Sequence, residues 1–174
     1  QTYYWRVDEV NAAPSNAIHK GDVWSFTTEP FAYPVEGIVA TSNGTSTDTQ
    51  GPEKAVDGSG LDENDQHSTS SSAMWVATPA ADETTYIQFE FDRVYKLHEM
   101  LVWNSNMEFE MFLGLGVKEA TVEYSEDATT WTTLGDVVLN QAPGSPGYAF
   151  NTTVPFDGIS AKYVRLNVQS MWSA

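Results

Sequence analysis

The sequence predicts an all-β protein, an antiparallel β-sandwich preceded by a short β-hairpin, and three observations predict it. The apolar residues alternate with period two. Ile87, Phe89 and Phe91 interleave with Tyr86, Gln88 and Glu90, and Ala120, Val122 and Tyr124 interleave with Glu119, Thr121 and Glu123, the pattern of strands that bury one face. No segment carries the 3.6-residue period of an amphipathic helix. The length, 174 residues, suits one sandwich of ordinary size plus a remnant.

Residues 1–28 read as two strands joined by a polar loop, with Tyr3, Trp5 and Val7 alternating with Tyr4 and Arg6, and Trp24 and Phe26 alternating with Ser25 and Thr27. A lone hairpin hides little apolar surface. The hairpin is therefore expected to lean on the sandwich or on another copy of the chain. Residues 29–36, EPFAYPVE, form a proline-containing linker. The sandwich spans 37–174, with a first strand near 38–41 and others near 86–91, 94–103, 117–124, 130–134, 148–156 and 162–169. Tyr148, Phe150, Val154, Phe156, Val164, Leu166 and Val168 supply the inward faces of the last two. Leu97 is in phase with Leu101 and Trp103, whereas Met100 and Val102 hold the other phase, so a bulge is expected near His98 and Glu99. Residues 104–116 form a long loop, and loops of that length are commonly binding loops. Asn43 and Asn151 open glycosylation sequons, read here as turn and strand chemistry.

Composition excludes several partners. Eight Lys and Arg against 24 Asp and Glu give a formal net charge of −16, and nucleic acid or anionic lipid needs basic clusters that this chain lacks. The segment MEFEMFLGLG could pass for an apolar membrane spike, but its flanking charges are glutamates, so no membrane insertion is expected. The acidity fits solubility, a saline habitat or divalent-cation binding. There are no cysteines, and the three histidines, His19, His67 and His98, are scattered. HExxH and GxSxG are absent, and Glu108 and Glu110 are too close in sequence to read as an acid and base pair. The chain is expected not to be an enzyme.

Two constellations remain. Residues 55–69 mix Asp57, Asp62, Glu63 and Asp65 with glycines and hydroxyl residues, the oxygen-rich composition that Ca²⁺ favours. The connections also carry aromatics and amides: Trp75, Trp103, Asn104, Asn106, Phe109, Phe112 and Trp172. Saccharides are held by an aromatic plane against their C–H face and by amides or carboxylates on their hydroxyls. Trp75 and Trp103 border strands and suit the core. Asn104, Asn106, Glu108, Phe109, Phe112 and Trp172 are the candidate ligand-binding set.

AVDG at 55–58, WN at 103–104, EYSEDATTW at 123–131 and AKYVRLNV at 161–168, in that order and spacing, resemble the coagulation factor V/VIII type C (discoidin) domain. That family includes the bacterial family 32 carbohydrate-binding modules. The resemblance implies a jelly-roll sandwich, 37–174, lacking the family's last strand. It implies calcium at Asp57, with the Ala55 carbonyl and Ser68 or Thr69 beside it and Asp62 or Asp65 standing in for missing ligands. It also implies glycan binding by loops at one end of the sandwich, within a larger secreted or cell-surface bacterial protein whose neighbouring domains are partners. Residues 1–28 are similar to the last two strands of a fibronectin type III domain. The competing expectation is a structural or adhesive module that assembles a surface layer or fibre through protein contacts, other copies of itself included.

Overall fold

The computed structural model describes residues 2–28, 32–81 and 83–173. The chain divides into two compact units, 1–34 and 35–174. In the first, β1 (Thr2–Trp5) pairs antiparallel with β4 (Trp24–Thr27), and the intervening segment forms a second small ladder, β2 (Glu9–Val10) with β3 (Ile18–His19). Register places Tyr3 opposite Phe26 and Trp5 opposite Trp24, and both pairs stack, with ring centroids 5.4 and 6.1 Å apart. Tyr3, Trp5, Trp24 and Phe26 are all exposed. Cross-strand stacking shields only one side of each ring.

In the second unit five strands form one sheet in the order β5-β6-β9-β7-β8, where β5 is Val39–Ser42, β6 Tyr86–Val102, β7 Val117–Ser125, β8 Thr132–Val138 and β9 Thr152–Met171. β6 has 17 residues and β9 has 20, and both run on where the sequence suggested two strands each. They bend because their ladder is interrupted between Glu90 and Tyr95 and between Leu97 and Glu99, and because Asp157 and Gly158 take positive φ. Both halves of each long strand therefore reach one core. Ile87 and Leu97 of β6 meet Val154, Phe156, Val164 and Leu166 of β9, with Ala120 and Val122 of β7. This is the all-β sandwich that the alternation predicts.

The skipped residue is His98, where the phase conflict placed a bulge. It turns Met100 and Val102 towards the core and leaves Leu101 exposed. Phe150 departs from expectation, since it is exposed and sits edge-on to Trp103 at 5.5 Å. The amides of the two sequon asparagines are engaged: Asn43 Nδ2 donates to the Thr84 carbonyl and Asn151 Nδ2 to the Gln141 carbonyl.

Register also gathers the loops. Val102 at the end of β6 pairs with Thr152, and Val117 at the start of β7 pairs with Met171. The connection 103–116, the segment 139–151 and residues 172–173 consequently share one pole of the sandwich. The turn 126–131 lies at the far end of β7.

Candidate functional site

At this pole the chain leaves β6 through Asn104 and Asn106, and both amides are spent inside the protein. Asn104 Nδ2 donates to the carbonyls of Val117 (2.7 Å) and Asn140 (2.9 Å), while its Oδ1 accepts the Ser105 N–H. Its backbone N–H donates to the Tyr148 hydroxyl, which donates onward to Asn151 Oδ1. Asn106 is completely buried. Its Nδ2 donates to the carbonyls of Ser145 (2.8 Å), Ser68 (3.1 Å) and His67 (3.4 Å), and its Oδ1 accepts the Gly144 and Ser145 N–H groups. One side chain thus ties three loops together. Neither asparagine is placed to touch a ligand. Their role is corrected to that of staples, because a buried amide must satisfy its own donors and acceptors.

The stapled loop carries an apolar turn. Phe109 adopts a left-handed conformation (φ 66°), rare for a bulky side chain and typical of functional loops when the surroundings impose it. It opens a single helical turn, α1 (Glu110–Leu113), which ends at Gly114 with φ 62°. A Cβ on Gly114 would lie 2.6 Å from the Ser173 nitrogen, so only glycine lets the chain end pass, and Ser173 N–H donates to the Gly114 carbonyl. Phe109 is 68% exposed, Met111 58% and Phe112 88%, and Leu113 and Leu115 are exposed as well. Glu108 lies exposed beside them. The sequence singled out Glu108, Phe109 and Phe112 in this ridge but passed over Met111, Leu113 and Leu115, although the run MFLGL in a loop was a signal for them.

Trp172 is half-buried. Its Nε1–H donates to the Leu139 carbonyl, and the Lys118 ammonium lies 5.5 Å from its ring centre. Its backbone N–H donates to the Gly116 carbonyl, just past the apolar turn. Beneath the turn lies Glu110, which the sequence set aside. It is fully buried, its Oε1 accepting the Gly116 N–H at 2.8 Å, and burial pushes its carboxyl above the usual range. Burial likewise raises the Tyr148 hydroxyl.

Oxygens of several residues expected to hold calcium are engaged within the protein. Asp57 Oδ2 takes the Lys54 ammonium at 2.8 Å and its Oδ1 accepts the Ser59 N–H. Burial pushes this carboxyl up, but the hydrogen bonds from Lys54 and Ser59 outweigh it and hold the group below its ordinary value. Asp62 Oδ1 accepts the N–H groups of Asn64 and Gln66. The Asp65 carbonyl accepts Trp103 Nε1–H, and the Ser68 carbonyl accepts Asn106 Nδ2–H. Ser68 Oγ accepts the Ser70 N–H. Among the described residues no three His, Cys, Asp or Glu side chains converge. Ala55 lies in a 3-10 turn (Pro52–Ala55).

The chain belongs to the F5/8 type C domain family, whose model matches residues 37–174. Solved structures share the fold. The first and second family 32 carbohydrate-binding modules of Clostridium perfringens ZmpB, in complex with GalNAc, match at a TM-score of 0.56 and 16% identity over 80% of this chain and 31% of that one. A family 89 glycoside hydrolase of Clostridium perfringens matches at 0.52 and 16% over 80% of this chain, which spans 13% of the hydrolase. A family 32 module of a family 31 glycoside hydrolase, bound to GalNAc, matches at 0.52 and 15% over 78% of this chain and 89% of that one. At these identities the likeness is one of fold. No curated protein matches the chain.

Proposed function

We propose that the chain is a noncatalytic carbohydrate-binding module of a larger secreted or cell-surface protein, and that its glycan seat is the exposed turn at 108–115. One observation carries this reading: a ridge of Phe109, Met111, Phe112, Leu113 and Leu115 stands open to water on a loop fixed by two buried asparagines. Keeping Phe112 88% exposed while ordering its backbone has no folding benefit, whereas a rigid aromatic plane suits the C–H face of a sugar. Glu108 supplies an acceptor for ring hydroxyls. Two of the similar structures contain GalNAc, whose acetamido methyl adds apolar surface for such a ridge.

The surface, at a net charge of −16, favours neutral or cationic saccharides over sulfated or uronic ones. A ridge buries only part of a sugar, so single-module affinity is weak and repeated modules raise it. A glycan array probed with the full chain tests this. Binding of GalNAc- or galactose-terminated glycans that is lost in Phe109→Ala and Phe112→Ala supports it. An array blank for every neutral glycan, or binding indifferent to both changes, refutes it. The exposed stacks Tyr3–Phe26 and Trp5–Trp24 favour a second reading, assembly through protein contacts. Concentration-dependent self-association abolished by Trp5→Ser with Trp24→Ser would support that reading.

A further inference from the structure

The feature of this pole that glycan binding leaves unexplained is Glu110. Its side chain has no exposed surface, yet it opens the turn that carries Phe112, which is 88% exposed. One carboxyl oxygen, Oε1, accepts the Gly116 N–H at 2.8 Å. The other, Oε2, is enclosed and has no hydrogen-bond partner. An ionised carboxylate accepts at both oxygens, and an enclosed oxygen without a donor carries the full desolvation cost of the charge. The backbone of the same residue closes the loop, since its carbonyl accepts Gln141 Nε2–H and the Gly114 N–H.

The space is tight. A Cβ on Gly116 would lie 2.8 Å from Asn104 Oδ1 and 3.2 Å from Glu110 Oε1, so both ends of the loop converge on this carboxyl. Burial raises the carboxyl and outweighs the neutral groups that favour its ionised form, the Gly116 and Leu115 backbones and the Gln141 amide. Of the charges on the elements around it, Lys118 of β7 is turned onto the Trp172 ring and Glu108 is exposed.

We propose that Glu110 is the positioning residue of the ligand turn and that its protonation sets how firmly the turn is held. The neutral carboxyl pins residues 109–116 in the binding shape, and ionisation loosens them, making glycan binding pH-dependent without Glu110 touching the glycan. The ligand half of this inference rests on the proposed function, but the pinning half does not. Burial raises the carboxyl above its ordinary value of 4.5, so the stabilisation it gives is complete below 4.5 and is lost as pH rises through the higher value in the folded chain.

The test follows the Gly116 amide, which donates to Glu110, by hydrogen exchange in the full chain, with GalNAc titrated in parallel across the same pH range. In the wild type the Gly116 protection factor should fall with rising pH, by up to about tenfold per unit before levelling off. GalNAc affinity should fall with it. Glu110→Gln, neutral at every pH and still an acceptor for Gly116, should flatten both. A wild-type protection factor indifferent to pH overturns the pin whether or not the variant folds, as does an unchanged slope in Glu110→Gln. A Gly116 slope accompanied by pH-independent GalNAc affinity overturns the positioning role. A Gly116 slope with no GalNAc binding at any pH keeps the pin and removes the glycan reading instead.

Discussion

Asn106 and Phe112 have opposite environments at the pole where the loops gather. Asn106 is wholly buried and bonds its own loop to two others, and Phe112 is almost wholly exposed. Asn106→Ala leaves carbonyls and N–H groups unsatisfied in a closed space and should cost about 3 kcal/mol, a Tm drop of about 6–12 °C by calorimetry. Phe112→Ala should change stability by less than about 0.5 kcal/mol and still remove glycan binding. The two asparagines were visible in the sequence as loop amides, but their partners were not. Asn104 reaches residues 13 and 36 positions away, and Asn106 reaches residues 38 and 39 away. Periodicity carries no information about such pairings. Glu110 was hidden for a related reason, because one acidic letter between Phe109 and Met111 reads as solvated until the fold closes over it.

At the scale of elements, alternation succeeded where a strand buries one face and failed where curvature intervenes. The bulge at His98 was legible because Leu97 and Met100 belong to opposite phases yet both face the core. The continuity of β9 was not, since the bend at Asp157 and Gly158 resembles a turn in the sequence. α1 is four residues long, too short for any helical period to show. The turn that follows β7 is held by Asp127, whose Oδ1 accepts the Thr129 and Thr130 N–H groups at 2.8 Å while Ser125 Oγ donates to it. The Thr130 and Thr129 backbones hold this carboxyl far below its ordinary 3.8. A lowered group contributes stability that is present above 3.8 and is lost as pH falls through its folded value. Asp127→Asn should therefore lower Tm at neutral pH, and the gap from wild type should narrow steadily in melts taken below pH 3.8.

For the whole molecule, the chain divides into its two compact units between residues 34 and 35, and the family match begins at 37. Removing residues 1–34 should leave 35–174 with one cooperative transition, because the core cluster is drawn from residues beyond that boundary. Loss of cooperativity on denaturant unfolding would show that the first unit belongs to the same folding domain. The sandwich and its family were legible because alternation and the ordered motifs are properties of the chain, whereas the seat of the ligand is a property of which loops meet. The measurement that tests the central claim most directly is an NMR titration of the labelled full chain with GalNAc. A glycan seat on the turn gives fast-exchange shifts confined to Glu108, Phe109, Met111, Phe112, Leu113 and Leu115, with Asn106 unmoved. Shifts gathered instead at the opposite pole, in the cleft of about 260 Å³ lined by Tyr124, Asp127, Thr130 and Ser160, or no shifts at all, would contradict it.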